Sequence, residues 1–290
     1  MTIHSIDTGM FKLDGGAMFG VVPKSIWNKL NPADNNNLCS WALRCLLIED
    51  NGRLILIDNG IGDKQDEKFF RHYYLHGDAT LATSLQAKGF YADDITDVVL
   101  THLHFDHCGG SITKTGDNLV PVFRNAKYWC SKDHWEWAVT PNAREKASFL
   151  KENILPIQES GQLNFIEREK RGISTGKMDR KDSGIIPSLS YYFADGHTES
   201  MLLPKISYKD RTIIFMADLL PSIAHLPIPY VMAYDMFPLT SLNEKKAFLE
   251  EAIEEDAILF FEHDPVNECC TLERTEKGIR QKDIFKLSEI

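Results

Sequence analysis

One ten-residue segment constrains this chain more than any other: Thr101-His102-Leu103-His104-Phe105-Asp106-His107-Cys108-Gly109-Gly110. It follows a short β-branched run, 97–100, that reads as a buried strand. With 10 histidines and 42 acids in 290 residues, the pattern His-x-His-x-Asp-His is expected by chance roughly 0.002 times. A segment leaving a strand projects alternate side chains to one side, so His102 and His104 can grip one cation. Asp106 and His107 follow where the chain turns off the strand and can face a second cation. Gly109-Gly110 is expected to free the backbone for that turn and to open a helix. Imidazole and carboxylate suit Zn²⁺ and other first-row divalent ions.

Such a cluster needs partners, and three residues at the ends of apolar strands supply them. His197 sits in Asp195-Gly196-His197-Thr198, Asp218 ends the run 212–217, and His263 follows the run 257–261. A metal bound to such a set lowers the pKa of a water and yields a nucleophile at neutral pH. No serine or cysteine nucleophile is then required, and Cys108 reads as a packed thiol beside the site.

Around these residues the pattern alternates between strand and helix, which favours a layered α/β or α+β domain spanning 1–290. Strands are expected at 41–49 and 53–58, joined through Asn51-Gly52, a strong hairpin signal. The second runs into the tight loop Asp58-Asn59-Gly60-Ile61-Gly62. Helices are expected at 80–88, within 131–159 and at 242–255, and strands at 191–193 and 200–206. The segment 161–185 is polar, with dense charge from 167 to 182.

Apolar residues make up 43% and charged residues 26%, an ordinary globular balance. No apolar run approaches the 18 residues that a membrane span needs. The net charge of −10 repels a nucleic-acid backbone on average. Six cysteines without a CxxC pair, and an N-terminus without a basic-then-apolar leader, point to reduced thiols and a cytoplasmic protein.

His102-x-His104-x-Asp106-His107 followed by His197, Asp218 and His263 resembles the metallo-β-lactamase superfamily. The resemblance runs from the hairpin at 41–62 to His263, and Asp58-Asn59-Gly60 is similar to the family's Asp-Thr-Gly loop. It implies a four-layer αβ/βα sandwich of two mixed sheets with helices outside. It assigns His102, His104 and His197 to one metal, Asp106, His107 and His263 to a second, and Asp218 to both. The cofactors implied are two divalent ions, Zn²⁺ by default, with Mn²⁺, Fe²⁺ or Co²⁺ able to occupy the same donors. A hydroxide bridging the two would attack, and Asp106 would orient it and pass a proton to the leaving group.

The intervals from His197 to Asp218 and from Asp218 to His263 are similar to those of N-acyl-homoserine lactonases. The longer interval from His107 to His197 maps onto an aromatic-rich region, 131–185, expected to form a lid or side wall. The resemblance therefore implies hydrolysis of a lactone or ester, with N-acyl-homoserine lactones, and hence quorum quenching, as the leading substrate class. Lactonases usually carry a tyrosine three residues after the bridging aspartate, and here that position is Pro221. His225, Tyr230 and Tyr234 lie downstream as substitute donors. An aryl ester or organophosphate hydrolase of the methyl parathion type is the alternative, with Met18, Phe19 and Trp27 as part of an aromatic wall. A non-catalytic ligand-binding relative is the third reading. The partner expected is a small-molecule ester or lactone, with no nucleic acid and no membrane; exposed aromatic segments make a homodimer an open expectation.

Overall fold

A computed structural model describes residues 1–169 and 178–290. Among them the strands are β1 (Thr2–Asp14), β2 (Leu38–Asp50), β3 (Arg53–Ile57), β4 (Asp97–Val99), β5 (Ile112–Thr115), β6 (Asn118–Pro121), β7 (Lys127–Ser131), β8 (Leu163–Ile166), β9 (Arg180–Asp182), β10 (Leu189–Ala194), β11 (Met201–Tyr208), β12 (Arg211–Phe215), β13 (Ile258–Phe260), β14 (Cys269–Thr275) and β15 (Gly278–Phe285). The α-helices are α1 (Gly15–Phe19), α2 (Lys24–Trp27), α3 (Glu67–Phe70), α4 (Leu81–Ala87), α5 (Phe105–Cys108), α6 (Lys132–Val139), α7 (Lys151–Glu159) and α8 (Pro238–Glu254). The chain divides into two compact units. The first comprises Met1–Met10 and Leu43–Arg168, the second Phe11–Ala42 and Glu169–Ile290.

The first unit contains most of a six-stranded sheet, in the order β1-β2-β3-β4-β7-β8, and the separate two-stranded sheet β5–β6. β2 and β3 form the expected antiparallel hairpin, with Asp50 opposite Arg53. The two turn residues, Asn51 (φ 48°) and Gly52 (φ 78°), both lie in the left-handed region that a two-residue hairpin requires. From β3 the pairing turns parallel through β4, β7 and β8. The central strands are apolar on both faces, as buried parallel strands are. Their core gathers Leu47, Leu56, Val98, Phe123, Tyr128 and Trp135. Within 131–185, where a lid was expected, α6 and α7 contribute Trp135, Ala138, Ile154 and Ile157 to this core, and β8 joins the sheet as its last strand. The part of that region at 170–177 lies outside the described residues.

The second unit contains a seven-stranded sheet, β15-β14-β13-β12-β11-β10-β9. All neighbours are antiparallel except β12 and β13, which run parallel. α8 supplies the crossover between them, burying Phe248, Leu249 and Ala252. Phe215 and Phe260, partners in the register, stack with centroids 5.6 Å apart. Both sheets are mixed and carry helices, so the fold class is the α/β one expected. The strands β1, β14 and β15 and the hairpin β5–β6 add to what the sequence pattern marked.

Candidate metal centre

The functional side chains share one local rule: each unit delivers them about three residues past a strand end. In the second unit β10 ends at Ala194 and His197 follows; β12 ends at Phe215 and Asp218 follows; β13 ends at Phe260 and His263 follows. Because Phe215 pairs with Phe260 in a parallel register, Asp218 and His263 emerge side by side. In the first unit β4 ends at Val99 and His102 follows. Carboxyl ends of strands are the usual edge for ligand sites in such sheets.

In the first unit, Asp58 organises the start of the His-rich segment. It sits at φ 54°, a left-handed position that aspartate tolerates better than most residues. Its carboxylate accepts from the Thr101 amide (2.8 Å) and the Thr101 hydroxyl (2.6 Å), and lies 3.2 Å from His107 Nδ1. These bonds fix two tautomers. The Thr101 hydroxyl spends its proton on Asp58, so it accepts from His102 Nδ1 at 3.1 Å, which leaves His102 Nε2 as a lone pair. His107 donates from Nδ1 and presents Nε2 in the same way.

His104 is held from its other side. Its Nε2 lies 3.0 Å from Glu145 Oε1, so Nε2 carries the proton and Nδ1 the lone pair. That Nδ1 lies 3.0 Å from His102 Nε2. Two basic ring nitrogens therefore converge, an arrangement that a cation between them satisfies. Asp106 and His107, in the first turn of α5, offer ligand atoms within 4.8 Å of each other. All four side chains are buried or nearly so.

The close approach of the 58–62 loop explains Gly109-Gly110, and corrects the expectation that flexibility was the reason. Gly109 has ordinary helical angles (φ −60°, ψ −34°). A Cβ there would stand 2.0 Å from the Ile61 carbonyl oxygen, and one at Gly110 2.2 Å from that of Asn59. The glycines are needed for what they lack. Cys108 is buried, and desolvation pushes its thiol up to about 12, so it is protonated at neutral pH.

In the second unit, Asp218 stands between two imidazoles. Its Oδ2 is 3.1 Å from His197 Nε2 and its Oδ1 is 3.1 Å from His263 Nε2. His197 Nδ1 is 2.9 Å from Asp235 Oδ1, and His263 Nδ1 donates to the Ala42 carbonyl at 2.8 Å. Both rings thus turn Nε2 towards Asp218. Burial works against charge on His197, but Asp218 and Asp235 outweigh it and raise the ring to about 10. The surroundings of this ring favour positive charge.

His225, expected as a substrate donor, has both ring nitrogens engaged within the second unit: Nδ1 with Ser222 Oγ (2.8 Å) and Nε2 with the Met18 carbonyl (2.9 Å). It stacks on Phe19 with centroids 4.6 Å apart, and burial lowers its pKa to about 3. Tyr230 is half-buried and edge-on to Phe19, and Tyr234 is exposed. Met18, Phe19 and Trp27 are buried core, Phe19 stacking on Trp27 at 5.3 Å, which corrects their expected place in a pocket wall.

Sequence reasoning missed the side chains that orient the candidate ligands. Glu145 and Asp235 lie in segments whose charges read as solvated surface, yet are 1% and 4% exposed. No spacing relates them to the histidines they touch. His134 is a third, accepting at Nε2 from the Leu103 amide between the first two ligands (2.8 Å).

Each unit therefore brings His and Asp side chains of the kind that ligate metal close together: His102 with His104 and Asp106 with His107 in the first, and His197 and His263 about Asp218 in the second. The sequence matches the Metallo-beta-lactamase superfamily over residues 44–263. An N-acyl homoserine lactonase of Bacillus cereus is 24% identical over 255 residues, covering 83% of this chain and 87% of that protein. Among solved structures, a probable metal-dependent hydrolase from Staphylococcus aureus superposes with TM-score 0.85 at 27% identity, covering 98% of this chain and 96% of that one. AidC, a dizinc quorum-quenching lactonase in complex with a product, superposes with TM-score 0.73 at 22% identity, covering 98% and 95%. The extent of the match to the family, across every strand-end histidine and aspartate described above, places this chain in the metallo-β-lactamase superfamily of metal-dependent hydrolases.

Proposed function

We propose that the chain is a dinuclear metal hydrolase that opens lactones, with N-acyl-homoserine lactones as the leading substrate class. The observation that carries the dinuclear reading is Asp218, whose two carboxylate oxygens each address a different imidazole at 3.1 Å. A carboxylate so divided suits a ligand shared by two cations. The donors fit: imidazole nitrogen and carboxylate oxygen, each imidazole oriented by an outer partner, are a set for Zn²⁺, with Mn²⁺, Fe²⁺ and Co²⁺ compatible. In this reading His102, His104 and His197 hold one ion, Asp106, His107 and His263 the other, and Asp218 both. When bound, such ions lower the pKa of water towards neutrality and polarise a scissile carbonyl.

The chain's own residues do the rest. Asp58, Asp235 and the Ala42 carbonyl each keep a proton on the outer nitrogen of a ligand imidazole, so that its inner nitrogen remains a donor. The Asp106 carboxylate takes a proton from the attacking water and passes it to the leaving alkoxide. With Pro221 where lactonases carry a tyrosine, Tyr230 and Tyr234 are the substitutes for hydrogen-bonding the substrate carbonyl. Pro221 also supports a second reading, an aryl ester or organophosphate hydrolase, because a phenolate leaves more readily than an alkoxide and asks less of a hydrogen bond to the substrate oxygen. Six buried cysteines outside any disulfide suit a reducing, cytoplasmic setting, and the net charge of −10 suits a small-molecule substrate rather than nucleic acid. Among the described residues no helix is long and apolar enough to cross a membrane.

The test is a hydrolysis panel on metal-replete protein: acyl-homoserine lactones of varied chain length, aryl esters and a phosphotriester. The lactones should give the highest kcat/KM. Faster turnover of the phosphotriester or aryl esters would replace this reading with the second. Two bound metals with no turnover across the panel would leave a binding protein.

A further inference from the structure

We propose that Glu145 is a positioning residue of the metal centre, fixing His104 as an Nδ1 donor and strengthening that donor through its negative charge. The inference rests on the metal-binding reading above and deepens it. Glu145 is buried, and its two oxygens face separate donors. Oε1 takes His104 Nε2 at 3.0 Å, while Oε2 takes Trp137 Nε1 at 2.6 Å and Asn142 Nδ2 at 3.3 Å. The Glu145 amide in turn donates to Asn142 Oδ1 at 3.1 Å, closing a local loop that holds the carboxylate in place.

The chemistry selects a carboxylate at this position. Every neighbour that these bonds identify presents an N–H, so both oxygens must accept. An amide offers one oxygen and one NH₂, and whichever way it turns, an NH₂ meets an N–H. Only the ionised acid satisfies both sides while leaving the proton on His104 Nε2. A carboxylate on the outer nitrogen of a ligand imidazole fixes the tautomer and raises the basicity of the inner nitrogen.

A second contact shows that the same segment seats the ligand loop. His134, on α6, accepts from the Leu103 amide, and the Ser148 carbonyl accepts from the Phe105 amide at 3.0 Å. The backbone on either side of His104 is therefore pinned by the stretch 134–148 that also carries Glu145. That stretch governs metal retention, a role distinct from covering a substrate.

The experiment compares wild type with Glu145→Gln and Glu145→Ala, all loaded with metal. Chelator competition should show metal held 10–100-fold more weakly in both variants, the range typical for loss of an outer-shell partner. The Co²⁺-substituted variants should show an altered visible spectrum, and kcat should fall with KM little changed. Wild-type affinity and spectrum in Glu145→Gln would overturn the inference. Should neither variant fold, long-range ¹H–¹⁵N spectra of the zinc-loaded wild type decide the matter. His104 must then be protonated at Nε2 and coordinated through Nδ1, and the opposite tautomer would refute the proposal. A wild type that retains no metal would overturn the metal reading itself and this inference with it, whereas failure to hydrolyse lactones bears on neither the affinity nor the tautomer.

Discussion

Single residues show where sequence reading succeeds and where it stops. The four donors from His102 to His107 stand out because their spacing is improbable, and the residues past the other strand ends follow from apolar runs that stop at a polar side chain. Glu145 and Asp235 leave no such trace, because a buried carboxylate among surface charges looks like any other acid until the chain is folded. Asp58 lies between these cases: its loop is visible, its bonds are not. Asp58→Asn keeps a residue that tolerates φ 54° and an oxygen for the Thr101 amide, but removes the charge facing His107. The variant should unfold at a lower midpoint, because its NH₂ meets the buried His107 N–H, and once folded should hold metal at least about tenfold more weakly in chelator competition. Unchanged affinity would remove Asp58 from the centre. Gly110→Ala tests packing instead. Its Cβ would meet a backbone oxygen at 2.2 Å, so the unfolding free energy should fall by about 1–3 kcal/mol. Gly116→Ala, at φ 62° with open space around it, should lose only about 1 kcal/mol by denaturant titration.

Among the elements, the hairpin β2–β3 and the strands β4, β12 and β13 were legible because they are apolar and bounded by turn residues or metal donors. β9, β14 and β15 were not, because charge interrupts them: Arg180–Asp182 is three charged residues, β14 ends through Glu273 and Arg274, and β15 carries Arg280, Lys282 and Asp283. Outer strands protect themselves with such charges, which hides their periodicity. The helix expected at 242–255 is α8, but its composition does not reveal that Lys245 on it is 2% exposed, donating to the Pro227 and Tyr230 carbonyls at 2.8 and 2.9 Å. Burial lowers its pKa to about 7, with Arg280 pushing the same way and Asp235 opposing. In the unfolded chain the group titrates near 10.4. Between those values the unfolded state binds the extra proton, so stability rises with pH from about 7 upward. The buried thiols act the other way above pH 9, since Cys39 and Cys108 are raised to about 11 and 12. His197, raised to about 10, also titrates differently in the two states above pH 6.5. It does so equally in wild type and in Lys245→Met, so the difference between the two proteins over pH 6 to 8 reports Lys245. There, wild type should gain on the order of 1 kcal/mol more than Lys245→Met, read from denaturant midpoints. Parallel pH profiles for the two proteins would show that Lys245 keeps its proton in the fold.

For the molecule as a whole, seven donors spread from His102 to His263 identify the superfamily, while the substrate is decided by side chains that follow no spacing rule. That is why the fold class and the presence of His/Asp clusters fit for metal could be read early and the choice between lactone and aryl ester could not. The same spread has a thermodynamic consequence. On the proposed assignment, donors 161 positions apart in sequence would form no site in the unfolded chain, so metal would bind the folded state almost alone. At a hundredfold excess over Kd that linkage contributes about 2.7 kcal/mol. For a chain of this size each kcal/mol moves the midpoint by roughly 2–4 °C. Removing metal with a chelator should therefore lower Tm by about 5–10 °C, and adding back Zn²⁺ should restore it. Asp218→Ala should respond to neither treatment to the same degree, because the carboxylate proposed to be shared by both ions is gone. A wild type whose Tm stays put after verified metal removal would mean that the donors are arranged without metal and held by the outer carboxylates alone.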